Sequence, residues 1–165
     1  MAWFRREPAA PAAPAAPLLP ERDPEDSPEA LRAAITSVNR LVNSSAGRLP
    51  LAAVVAARRI TDVLAEVVDT SEVRPLDVHA VISVRAAVTD YLPTTIRSYL
   101  AVDESLVDVP RASGRTPAQS LMEQLAALED SALRVLQAAQ LQDVDALMTQ
   151  GNFLRTKFSG SDLDL

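Results

Sequence analysis

A chain of 165 residues with net charge −6, 48% hydrophobic but only 4% aromatic residues, suits one aliphatic-cored domain plus a tail. It has no cysteine, which excludes disulfides, thiolate metal sites and cysteine nucleophiles, and a single histidine, which gives zinc or carboxylate-bridged di-iron chemistry poor support. The charge is acidic, with no basic stripe, so nucleic acid is not an expected partner.

The chain opens Met1-Ala2-Trp3-Phe4-Arg5-Arg6 and continues through prolines at 8, 11, 14 and 17. That spacing locks φ and denies helix formation, so residues 1–26 are expected to form a disordered Pro/Ala-rich tail. The same prolines interrupt the apolar run that a secretory signal needs, and no segment reaches the ~20 apolar residues of a membrane span. A cytoplasmic protein is therefore expected. Two aromatics beside two arginines have the composition to dock on a partner groove, which makes Trp3 and Phe4 candidate contacts. An anionic membrane is the less favoured reading of the same cluster.

Order is expected to begin at Ser27-Pro28-Glu29, with Ser27 capping and Pro28 at the first helical position, and to extend over residues 27–158. Leu31, Ala34, Ile35, Val38 and Val42 share one helical face, and Asn43–Gly47 supplies the turn. Pro50 opens a second helix running to about Asp69. Ala53, Ala57, Ile60, Leu64 and Val67 form its inner stripe, widened by Val54, Val55 and Val68 as for a helix lying between two neighbours. Arg58 with Asp62 is an opposite-charge pair four residues apart.

After a turn over Thr70–Pro75, a third helix is expected from Leu76-Asp77, burying Val78, Val81, Ile82, Val88 and Leu92. Pro93 falls inside this apolar pattern, where proline costs ~3 kcal/mol and bends or ends a helix. Tyr91 and Tyr99 stand on either side of it and are expected to hydrogen-bond across the kink. Tyr91, Pro93, Arg97 and Tyr99 are accordingly the candidate partner contacts of the bundle. Val102–Gly114 reads as a long loop. Thr116-Pro117-Ala118-Gln119 carries the cap, first-turn proline and capping-box glutamine of a strong helix start. Leu121, Leu125, Leu128, Ala132, Val135 and Ala139 make that helix's stripe. The phase is lost near Gln140–Asp143, and Val144, Leu147, Met148, Leu154 and Phe158 suggest a further helix, with Gly151 a point of close packing or a break. Residues 159–165 read as an acidic tail. The fold class expected is all-α: a bundle of four to six helices whose third is kinked by proline.

Chemistry is thinly represented. His79 has Asp77 and Asp90 nearby, but no Gly-x-Ser-x-Gly elbow and no phosphate-cradling glycine loop accompany it. No catalytic residue, cofactor or metal site is assigned. Two stretches carry a resemblance. Asp90-Tyr91-Leu92-Pro93-Thr94-Thr95-Ile96-Arg97-Ser98-Tyr99-Leu100 resembles the Tyr-Leu-Pro-Thr segment and following tyrosine of the XpaC-type family, named for 5-bromo-4-chloroindolyl phosphate hydrolysis. Leu121–Phe158 resembles that family's closing helix pair, including Leu128-Glu129 and Asn152-Phe153-Leu154. The resemblance implies a helical accessory role beside bacterial toxic-anion resistance proteins. This chain departs from the pattern in its long Pro/Ala leader and in lacking an obvious membrane-associated N-terminal region. The family's name implies phosphate-ester hydrolysis, for which the residues offer no nucleophile-and-metal set. The function expected is therefore non-catalytic, a scaffold or accessory protein whose partner is another protein.

Overall fold

The computed structural model describes residues 23–112 and 114–159; within that range nothing is described of the side chains at 143, 146, 147 and 150–159. Trp3, Phe4 and the acidic tail lie outside the described residues. The regular elements of the described chain are helical: α1 (Pro28–Ser44), α2 (Leu51–Asp69), α3 (Val78–Ala86), a π turn (Ala87–Tyr91), α4 (Leu92–Leu100) and α5 (Pro117–Ser159), with a loop between α4 and α5 that holds one 3₁₀ turn, Glu104–Leu106. α3, the π turn and α4 follow one another without a gap and act as one rod.

Structure starts slightly before Ser27. Pro24–Asp26 is a 3₁₀ turn capped by Asp23, and Arg85 of α3 holds it, its Nη1 2.8 Å from Asp26 and 3.6 Å from Asp23. Ser27 then caps α1, its Oγ accepting the Ala30 N–H at 3.1 Å, which satisfies one of the amides a helix start leaves open. Leu31, Ile35, Val38 and Val42 are buried, as the 3.6-residue period requires.

α2 packs against both α1 and α5, and buries Ala53, Val54, Ala57, Ile60, Leu64, Val67 and Val68. Two expectations for it fail. Val55 points outward and is exposed, because the two contact faces of α2 do not meet on that side. Arg58 donates to the Asn43 side chain at the end of α1 instead of pairing with Asp62, and its neighbour Arg59 pairs with Glu129 of α5 at 2.8 Å. Cross-helix partners thus take the cations that in-helix spacing would have assigned to Asp62.

The helix directions follow from side-chain partners. Arg32 reaches Asp69, and Asn39 reaches Thr61, so α1 and α2 run antiparallel. Arg59 meets Glu129 and Gln140 meets Glu66, so α2 and α5 run parallel. The α3–α4 rod returns between α1 and α5: Arg85 lies by the start of α1, while Arg48, just past its end, donates to the Leu100 carbonyl at 2.6 Å. A guanidinium at that carboxyl-terminal end also complements the helix dipole.

The buried stripe of the rod differs from the expected one. Val78 and Ile82 are exposed and Val81 is half-buried, whereas Leu76, Ala80, Val84, Val88, Leu92 and Ile96 are buried. These positions recur every four residues. In an α-helix four residues turn about 400°, so such a stripe drifts about 40° per step. The wider π turn, in which the Leu92 N–H reaches the Ala87 carbonyl, rotates less per residue and brings the stripe back toward the core. It also accommodates Pro93, which comes two residues after its end and has no N–H to give. The rod is interrupted at the proline, as expected, by a change of hydrogen-bond register.

α5 begins with a full capping box: the Thr116 N–H donates to Gln119 Oε1 at 3.0 Å, and the Gln119 N–H to Thr116 Oγ1 at 3.1 Å. It then runs 43 residues unbroken. The break expected near Gln140–Asp143, and hence a closing helix pair, is absent: the phase slips because burial stops, while the backbone stays helical through Gly151. Among its described side chains Ala139 is the last buried one, and Val144, Asp145, Met148 and Thr149 beyond it are exposed.

Candidate functional site

The candidate contacts of the bundle do not share a surface. Pro93 is buried and lies with Arg97 in a groove facing α1, beside Ala34, Val38 and Leu41. Tyr99 is buried near the start of α5, against Leu121 and Val102. Of the four, Tyr91 and Arg97 are exposed; Tyr91 is the exposed large apolar side chain, and it faces α5. Neither tyrosine hydroxyl hydrogen-bonds to any described residue, so no bond crosses the interruption. At the start of the π turn Thr89 Oγ1 donates to the Arg85 carbonyl at 2.7 Å. Residues 91–100 wind round the rod by more than one turn, which separates side chains that look adjacent in sequence.

What the structure places beside Tyr91 is a furrow between the α3–π segment and α5. One part of it, about 570 Å³, is lined by Leu64, Ile82, Ala87, Tyr91, Leu128 and Ser131, among others. The next part, about 470 Å³, is lined by Thr70, Arg74, Leu76, His79, Ala138 and Gln142, among others. The two parts share Ser83 and Val135 and so run into each other. Small residues make the furrow: Ala86 and Ala87 on one wall, Ser131, Ala132 and Ala138 on the other, keep side chains from closing the gap. Ile82 and Tyr91 stand on its rim, 57% and 55% exposed.

Arg74 closes one end of the furrow, donating toward the Ala139 carbonyl at 3.5 Å and Gln142 Oε1 at 3.4 Å. Asp77 caps α3 by accepting the His79 backbone N–H at 3.1 Å. Asp77, His79 and Ser83 therefore line one groove, but the carboxylate is engaged with the histidine's amide and not with its ring. An imidazole activated by a carboxylate needs the latter bond. Among the described residues no group of three or more His, Asp or Glu gathers as metal ligands would, and no helix is long and apolar enough to cross a membrane.

Sequence reasoning missed Ile82 as a surface residue and missed the furrow altogether. The available signal was the four-residue recurrence Ala80, Val84, Val88, Leu92, which assigns the inward face and leaves Val78 and Ile82 outside. No protein-family description, curated protein or solved structure matches this chain.

Proposed function

We propose that this chain is a non-catalytic helical interaction protein that binds a partner protein in the furrow between α3 and α5. The observation that carries the reading is the exposed pair Ile82 and Tyr91 over a trough of small residues. Exposed apolar groups rimming a groove gain free energy when an apolar segment covers them, and an amphipathic helix laid in a groove is the usual way of doing so. The accessory role implied by the XpaC-type resemblance agrees with such a protein.

Affinity capture from the native host tests it, comparing the full chain with Ile82→Arg and with Val55→Arg, whose site is exposed on α2 away from the furrow. A partner retained by Val55→Arg and lost with Ile82→Arg supports the furrow. The same proteins captured by all three chains would rule it out.

Phosphate-ester hydrolysis is the second reading, and one observation favours it: His79 and Ser83, one helical turn apart, line the same groove. Turnover of a chromogenic phosphate ester that disappears in His79→Ala would establish it. Inactivity of the wild-type chain across added divalent metals would reject it.

A further inference from the structure

The furrow has an occupant available in the same chain. Trp3 is the only tryptophan, and with Phe4 it heads the segment that precedes the described residues. The described chain begins at Asp23, and Arg85 fixes that point to the flank of α3 through Asp23 and Asp26. Arg85 is one turn or less along the helix from Ile82 and Ala86, both of which line the furrow.

We propose that Trp3 and Phe4 seat in the furrow of their own chain, against Tyr91 and Ile82. The assignment of the furrow as a binding face rests on the function proposed above. Reach does not limit the contact. Residues 5–22 separate Phe4 from Asp23, and an extended proline-rich strand of that length spans about 56 Å at ~3.1 Å per residue. The distance to cover is on the order of one helix diameter, ~10 Å. A tether of this kind holds its end at an effective concentration on the order of millimolar, so even a weak aromatic contact is populated.

The chemistry matches on both counts. Aromatic rings fit where the short side chains of Ser83, Ala86, Ser131 and Ala138 leave the gap between the helices unfilled, and Tyr91 offers a ring to pack on. Arg5 and Arg6 follow directly, and the carboxylate of Asp77 stands in the furrow wall. It makes no ion pair with any described residue. The tail then acts as an internal competitor that a partner must displace.

The sole tryptophan makes the test direct. Trp3 emission and acrylamide quenching are measured on the full chain over a range of concentrations, with Ile82→Arg as the comparison and circular dichroism confirming its fold. The expected result is a blue-shifted emission and a several-fold smaller quenching constant than in Ile82→Arg, unchanged by dilution. Should Ile82→Arg lose helix, Tyr91→Asp on the exposed face of the π turn takes its place.

Solvent-like emission in the wild-type chain overturns the proposal. So does a blue shift that grows with protein concentration, which would mean a second copy fills the furrow. A shift seen only with phosphatidylglycerol vesicles would assign the cluster to a membrane and overturn it equally. The two proposals fail separately. Exposed Trp3 with a partner that Ile82→Arg loses rejects the tail alone. Buried Trp3 with no partner captured by Trp3→Ala/Phe4→Ala rejects the partner alone.

Discussion

Thr61 is the polar residue most deeply enclosed by the bundle, fully buried on α2. Its Oγ1 lies 2.7 Å from the Arg58 carbonyl oxygen and 2.8 Å from the Asn39 side-chain amide, which ties α2 to α1. Thr61→Val keeps the shape and removes the bonds. A loss of about 1 kcal/mol is expected in denaturant unfolding, the net worth of an ordinary internal hydrogen bond, with Asn39 able to turn to water. Tyr99 gives a pH dependence. Burial, and then the carboxylates of Asp108 and Glu104, raise its hydroxyl above the ordinary tyrosine range. A raised folded-state value means the proton is held more tightly in the native protein. Its contribution to stability is intact below the unfolded value of about 10 and is lost as pH climbs from there through the folded value. Alkaline unfolding followed by circular dichroism should be shallower in Tyr99→Phe, which has no proton to lose.

At the scale of elements, the capping box and Pro93 make opposite predictions. Thr116→Ala removes the acceptor of the Gln119 N–H at the start of α5, leaving the bond from the residue-116 amide to Gln119 Oε1, and should cost about 1 kcal/mol in thermal or denaturant unfolding. Pro93→Ala restores a backbone donor but removes a buried ring from the α1 groove. These effects offset, and stability should change by no more than about 1 kcal/mol, whereas proline in a regular helix interior costs ~3 kcal/mol. Amide exchange should slow across Thr89–Leu92 in that variant if the π turn tightens. The elements also show where sequence reading works. α1 and α2 were legible because their buried residues keep the 3.6-residue period. The α3–α4 rod was not, because its core residues recur every four and need the π turn to stay inside. Exposed Val78 and Ile82 look like core by composition; only their phase relative to Ala80 and Val84 says otherwise. α5 was misread near Gln142 because burial ends there while the helix does not.

At the scale of the molecule, the fold class was readable from the aliphatic palette and the caps, but the furrow was not. It exists between two helices far apart in sequence, and the small residues that open it look unremarkable along either one. Its floor includes Leu64, which is 1% exposed. Leu64→Ala is expected to cost 2–5 kcal/mol, a large share of the roughly 5–15 kcal/mol that holds a domain folded. Because α2 contacts both α1 and α5, far-ultraviolet signal and the burial of Tyr99 should be lost together in one transition, not helix by helix.

The unbroken α5 has a mechanical corollary. Its 43 residues measure about 64 Å, and the stretch past Gln142 adds roughly 25 Å of rod beyond the furrow's closed end. Anything gripping that outer stretch would hold a lever whose inner end forms one wall of the trough. A twist applied there would narrow or widen the gap facing Tyr91, without any change in the residues that line it.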